Sequence, residues 1–116
     1  MSGRAGNRIG LRGEAAVAEM LIEKGWRIAA QRLRLPAGEV DIVAINGDRG
    51  LVVEVKATAG HYDLVDRIST RKLERLTRLA EQVSVRFRLD RVKVMLAAVV
   101  IVHDGERLTL HELDLW

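Results

Sequence analysis

Two closely spaced β-prone runs limit this fold more than any other feature of the chain. Gly38-Glu39-Val40-Asp41-Ile42-Val43-Ala44 and Leu51-Val52-Val53-Glu54-Val55-Lys56 are rich in apolar and β-branched residues, and Asn46-Gly47-Asp48-Arg49-Gly50 supplies turn chemistry between them. A hairpin is expected. Alternate side chains of a strand point to opposite faces, so Glu54 and Lys56 share one face. A register that sets Asp41 across from Glu54 or Lys56 gathers all three polar groups, whereas a slip of one residue turns Asp41 to the other side. Two carboxylates held close on an otherwise apolar sheet repel each other, and both are costly to desolvate. A hard divalent cation relieves both penalties: oxygen ligands suit Mg2+ or Mn2+, and a lysine on the same face can stabilise an anion or position a water. The competing explanation is an ordinary Glu54–Lys56 ion pair on a solvated face, with Asp41 in a turn.

The length of 116 residues fits one domain with one core. Cysteine is absent, which excludes disulfides and Cys-based zinc sites. The N-terminal residues lack the apolar stretch of a secretory signal, and the apolar run at residues 94–102 is shorter than the roughly 18 residues that span a bilayer. A cytoplasmic protein without membrane association is therefore expected. The net charge is +3 and arginine carries most of the positive side. Because guanidinium groups bind phosphates bidentately, a polyanionic partner is indicated. Aromatic residues make up only 3% of the chain, too few for a single-strand binder built on stacking platforms, so duplex or branched DNA is the better candidate.

Residues 1–9 read as a flexible basic arm carrying Arg4 and Arg8, and residues 10–116 as a single domain. A first helix is expected from residue 9 or 11 to residue 24, stopped by Gly25, with Leu11, Ala15, Ala18, Leu21 and Ile22 as its buried stripe. Glu14 falls at the edge or inside of that stripe, where an unpaired carboxylate is penalised. It is either a first-turn acid favoured by the helix dipole or a third acid aimed at the same metal site. Residues 26–34 read as a strand with a bulge near Gln31; its Arg32 and Arg34 either meet phosphate or solubilise an edge. No room remains for a crossover helix before residue 56, so the first three strands form an antiparallel meander. His61 sits in the following polar loop, where a lone histidine is more often a bystander than a ligand. A second helix is expected from Ser69 or Thr70 to Val83, burying Leu73, Leu76, Leu79, Ala80 and Val83 and displaying Arg71, Lys72, Arg75 and Arg78. Residues 91–102 read as a central strand, although periodicity alone leaves a helix open for residues 95–100. Asp104-Gly105 then turns the chain into a return strand ending near Asp114.

Gly10-Leu11-Arg12-Gly13-Glu14 at a helix start, then Gly38-Glu39-Val40-Asp41, then Val53-Glu54-Val55-Lys56, then a basic helix with Arg71-Lys72-Leu73, resembles the bacterial YraN-like proteins. These belong to the restriction-endonuclease-like PD-(D/E)xK group, and the layout is similar to archaeal Holliday junction resolvases. The resemblance covers about residues 10 to 90. It implies an α/β fold of the α+β type, a mixed central sheet containing the antiparallel meander and flanked by two helices. It further implies a Mg2+-dependent endonuclease, with Mn2+ able to substitute. Asp41 and Glu54 would be metal ligands, with the Val55 carbonyl and Glu14 completing the set, and Lys56 would be the signature lysine. Arg8, Arg12, Arg34, Arg71, Lys72 and Arg75 are the expected phosphate contacts. Hydrolysis of branched or structured DNA is one expectation; a nucleic-acid-binding or adaptor module with this fold and little turnover is the other. A homodimer is compatible with either.

Overall fold

The computed structural model describes residues 3–59 and 69–113, with side chains from Arg8 onward. The element order is α1 (Gly3–Glu23), β1 (Arg27–Leu35), β2 (Gly38–Asn46), β3 (Arg49–Thr58), α2 (Thr70–Phe87), β4 (Arg91–Val102) and β5 (Gly105–Leu113). The expected loop at His61 and the end of the last strand at Asp114 lie outside the described residues.

The five strands form one sheet in the order β1-β2-β3-β4-β5. The β1-β2-β3 meander is antiparallel, as its short connections require. After β3 the chain crosses through α2 and returns as β4, parallel to β3, and β5 closes an antiparallel C-terminal hairpin. The result is a mixed sheet in an α+β fold, as the sequence led us to expect. Residues 95–100, left open between strand and helix by their unbroken apolarity, lie within β4, which is buried between two neighbouring strands.

Strand alternation divides the core into two layers. Val43, Ile45, Val52, Val94 and Leu96 pack against Leu76, Leu79, Ala80 and Val83 of α2. Ile42, Ala44, Leu51, Val53, Ala97 and Val99 pack against Val17, Ala18 and Leu21 of α1. Each helix thus covers one face. Fully burying a leucine such as Leu79 contributes on the order of 2 kcal/mol, so either layer is a substantial part of the stability.

The helices depart from expectation in instructive ways. α1 begins at Gly3, so the backbone of the expected arm is helical from that residue on. Its C-terminal stop is as expected: Gly25 adopts φ 96°, its N–H donates to Ile22 O, and the Trp26 N–H returns to Leu21 O. The buried stripe, however, is Gly13, Glu14, Val17, Ala18 and Leu21; Leu11, Ala15 and Ile22 are exposed. Gly13 explains the rotation. A Cβ at that position would lie 2.5 Å from the Ala57 Cβ, so the helix backbone approaches β3 where only glycine fits, and Glu14 is carried inward with it. α2 starts as expected, with Ser69 Oγ accepting from the Lys72 N–H, but runs to Phe87 instead of ending at Val83, and Leu73 is half-buried. No helix among the described residues is long and apolar enough to cross a membrane.

Candidate active site

The register decides the site. Ile42 pairs with Val53 and Val43 with Val52, the phase that carries Asp41 toward Glu54 rather than to a slipped position. The recorded ladder stops at Ile42, and beyond it the Asp41 side chain takes over: the Val55 N–H donates to Asp41 Oδ2 at 2.7 Å. One carboxylate oxygen is thereby anchored to β3. Opposite Asp41 in the β1 register, the chain is irregular. A register shift falls between Ile28 and Ala30, and Arg32 adopts φ 50°, so the expected bulge near Gln31 is bracketed by two distortions.

That left-handed kink aims Arg32 at α1. Its Nη1 donates to Glu14 Oε1 at 2.8 Å. Glu14 is the one buried charged residue among those described, 7% exposed. Burial raises its pKa, Arg32 opposes the rise, and Asp41 and Glu39 add to it. Asp41 is raised in the same direction, first by burial; the Val55 amide and Lys56 lower it, while Glu54 and Glu39 push it up. Glu14, Arg32, Glu39, Asp41 and Val55 line an open cleft of about 190 Å³ together with Gly10 and Leu11. Two carboxylates whose environment disfavours their own charge thus face one small space.

Glu54 turns the other way, toward α2. There Arg75 Nη2 donates to Glu54 Oε1 at 3.2 Å, and the Lys72 ammonium meets Glu54 Oε2. Glu54 Oε2 and Arg75 Nε are buried without a well-directed hydrogen bond among the described residues, so these contacts hold charge more than geometry. Lys56 is exposed and acts on Asp41 through its field. The expected quartet therefore divides by its partners, although Asp41 stays close enough to Glu54 in register for that carboxylate to raise its pKa. Glu14 and Asp41 share the cleft on the α1 side, Glu54 is clamped by α2 cations, and Lys56 stands at the rim. No three His, Cys, Asp or Glu side chains among the described residues are grouped as a ready-made ion cage. The donor chemistry nonetheless suits a hard cation: all ligand atoms are oxygens, and positive charge beside Asp41 would reverse the penalty that burial and Glu54 impose on its ionised form.

The expected phosphate contacts also divide. Arg8 and Arg71 are exposed, with no ion pair among the described residues. Arg34 is 83% exposed with Glu39 at 3.9 Å. Arg12 is engaged with Glu106 of β5 at 2.6 Å, and Lys72 and Arg75 are engaged with Glu54. Sequence reasoning did not place Arg32 or Glu39 in the site. Glu39 was findable once Arg34 and Glu39 were paired in register; Arg32 needed the positive φ, for which the broken alternation near Gln31 was the only signal.

A model of the uncharacterised protein family UPF0102 matches residues 13–101, which takes in Glu14, Asp41, Glu54 and Lys56. A UPF0102 protein of Sphingopyxis alaskensis is 37% identical across 100% of this chain and 98% of its own length. One from Paenarthrobacter aurescens is 36% identical over 88% of this chain and 86% of its own. A Bradyrhizobium relative is 43% identical over 64% of this chain. This chain spans only 54% of that Bradyrhizobium protein's length and 65% of a Parvibaculum lavamentivorans relative's. With the mixed sheet, the two flanking helices and the ordered acidic motifs in place, the chain belongs to the UPF0102, or YraN, family of restriction-endonuclease-like proteins.

Proposed function

We propose that this protein is a metal-dependent endonuclease that hydrolyses phosphodiester bonds in DNA, with branched or structured DNA as its substrate class. The observation that carries this reading is the Asp41 carboxylate on the Val55 amide, next to Glu54 in register and sharing a cleft with buried Glu14. A Mg2+ or Mn2+ ion held by Asp41 and Glu54, with the Val55 carbonyl and Glu14 available to complete the set, would supply Lewis acidity and lower the pKa of a coordinated water. The Val55 amide fixes one Asp41 oxygen, and the other has no hydrogen-bond donor among the described residues. Lys56 would orient the attacking water or stabilise negative charge developing on the phosphate. Glu14, restrained by Arg32, would hold its carboxylate on the α1 wall. Exposed Arg8, Arg34 and Arg71, together with Arg12, Lys72 and Arg75 when released from their carboxylates, would contact backbone phosphates with little base preference. The test is Mg2+- or Mn2+-dependent cleavage of branched, flapped and linear DNA. Asp41→Ala/Glu54→Ala is expected to abolish cleavage and spare DNA binding in chelator, and cleavage by that variant at the parent's rate refutes the assignment.

A second reading is supported by the Lys72 and Arg75 clamp: with two cations already on Glu54, its charge is neutralised without any ion. On that reading the protein is a nucleic-acid-binding or adaptor module that keeps the nuclease fold. DNA binding in chelator without turnover on any of the three substrates would favour it.

A further inference from the structure

At the other end of β3 from the carboxylates, a second cavity of about 130 Å³ is lined by Trp26, Arg49, Gly50, Leu51, Arg91, Lys93 and Glu112. Three of these side chains are cationic and one is acidic. Glu112 is already committed to Lys93 at 3.1 Å. Arg49 and Arg91 are direct partners in the parallel β3-β4 register, are both exposed, and have no ion pair among the described residues. Like charges set opposite each other on neighbouring strands are destabilising, and the one acid lining the cavity is shared with Lys93. An anion between Arg49 and Arg91 would offset their repulsion.

We propose that Trp26, Arg49, Arg91 and Lys93 form a phosphate subsite for nucleic-acid backbone, separate from the carboxylate cleft. The assignment rests on the reading of DNA as the partner but not on cleavage. Two guanidinium groups on adjacent strands suit the paired oxygens of a phosphodiester, and the half-buried Trp26 gives an apolar wall against a sugar or base. By strand alternation, Arg49 and Val55 of the cleft lie on the same face of β3, on the order of 20 Å apart at about 3.3 Å per residue. Duplex DNA rises about 3.4 Å per base pair, so the two places would lie about six base pairs apart along the duplex axis. The subsite would therefore set the minimum length of DNA the protein grips.

The test measures binding of a labelled duplex in chelator across a salt series, which separates it from any failure of catalysis. Arg49→Gln/Arg91→Gln is expected to bind about tenfold more weakly, with the slope of log affinity against log salt reduced by about one. A charge-matched control, Arg86→Gln/Arg107→Gln, removes two exposed arginines elsewhere and should change the slope less. In a Trp116→Phe background, Trp26 is the sole tryptophan, and its emission should shift on duplex addition only when Arg49 and Arg91 are present. Parental affinity and slope in the double variant would overturn the proposal. So would a Trp26 response to inorganic pyrophosphate but not to duplex, or no duplex binding by the parent.

Discussion

The two sides of β3 handle buried negative charge in opposite ways. On the α1 side, Glu14 and Asp41 share one cleft and the Arg32 guanidinium, itself 53% exposed, is paired with only one of them. On the α2 side, a single carboxylate, Glu54, has both Lys72 and Arg75. The first environment raises carboxylate pKa values; the second already holds its counter-charge on a helix. One cation thus stands beside two acids in the first place, and two cations serve one acid in the second.

The contrast can be broken most severely at Gly13. Gly13→Val forces side-chain atoms into Ala57, and the resulting overpacking should cost about 1–3 kcal/mol or more in a denaturant melt. Because α1 forms one wall of the cleft, the loss should reach Glu14 and Asp41 while leaving the Glu54 pairs on α2 intact.

Arg32→Met should cost less, about 1–2 kcal/mol at pH 8, below the 3–5 kcal/mol of a fully buried pair because the guanidinium is half exposed. The sign with pH follows from the raised folded-state pKa of Glu14. Stability tied to such a group is fully present below the unfolded carboxylate pKa and is lost as pH rises through the folded value. The deficit of Arg32→Met should therefore shrink on acidification, and adding Glu14→Gln should remove most of its pH dependence. A deficit that stays constant with pH would show that Arg32 acts by packing alone.

On the α2 side the single change should be the smallest. Lys72→Met is expected to cost under about 1 kcal/mol, because Arg75 still faces Glu54. Lys72→Met/Arg75→Met leaves Glu54, 16% exposed, without a cation, and should cost more than the sum of its single changes. Strict additivity would mean that the two cations do not share Glu54.

The antiparallel meander was legible because it depends on local chemistry, alternation and turn residues, whereas its register was left open between Glu54, Lys56 and a slipped position for Asp41 until the strands paired. Leu79 and Val83 were legible for the same reason, from a helical period with a hydroxyl cap in front of it. The face that α1 presents was not. A hydrophobic count selects Leu11 and Ile22, whereas contact between two backbones at Gly13 and Ala57 selects Glu14 and Val17. Lys72 and Arg75 read as phosphate contacts rather than partners of Glu54, because only the packing of α2 over β3 brings Glu54 within their reach.

The sequence by itself determined the strands, the turns between them and the family, since those follow from residue type and short spacing. The tertiary structure decided which cation meets which acid: Arg32 with Glu14, Lys72 and Arg75 with Glu54, Arg49 beside Arg91. Charge pairing acts across space at a few ångströms, and residues far apart along the chain reach that range only after sheet and helices have packed.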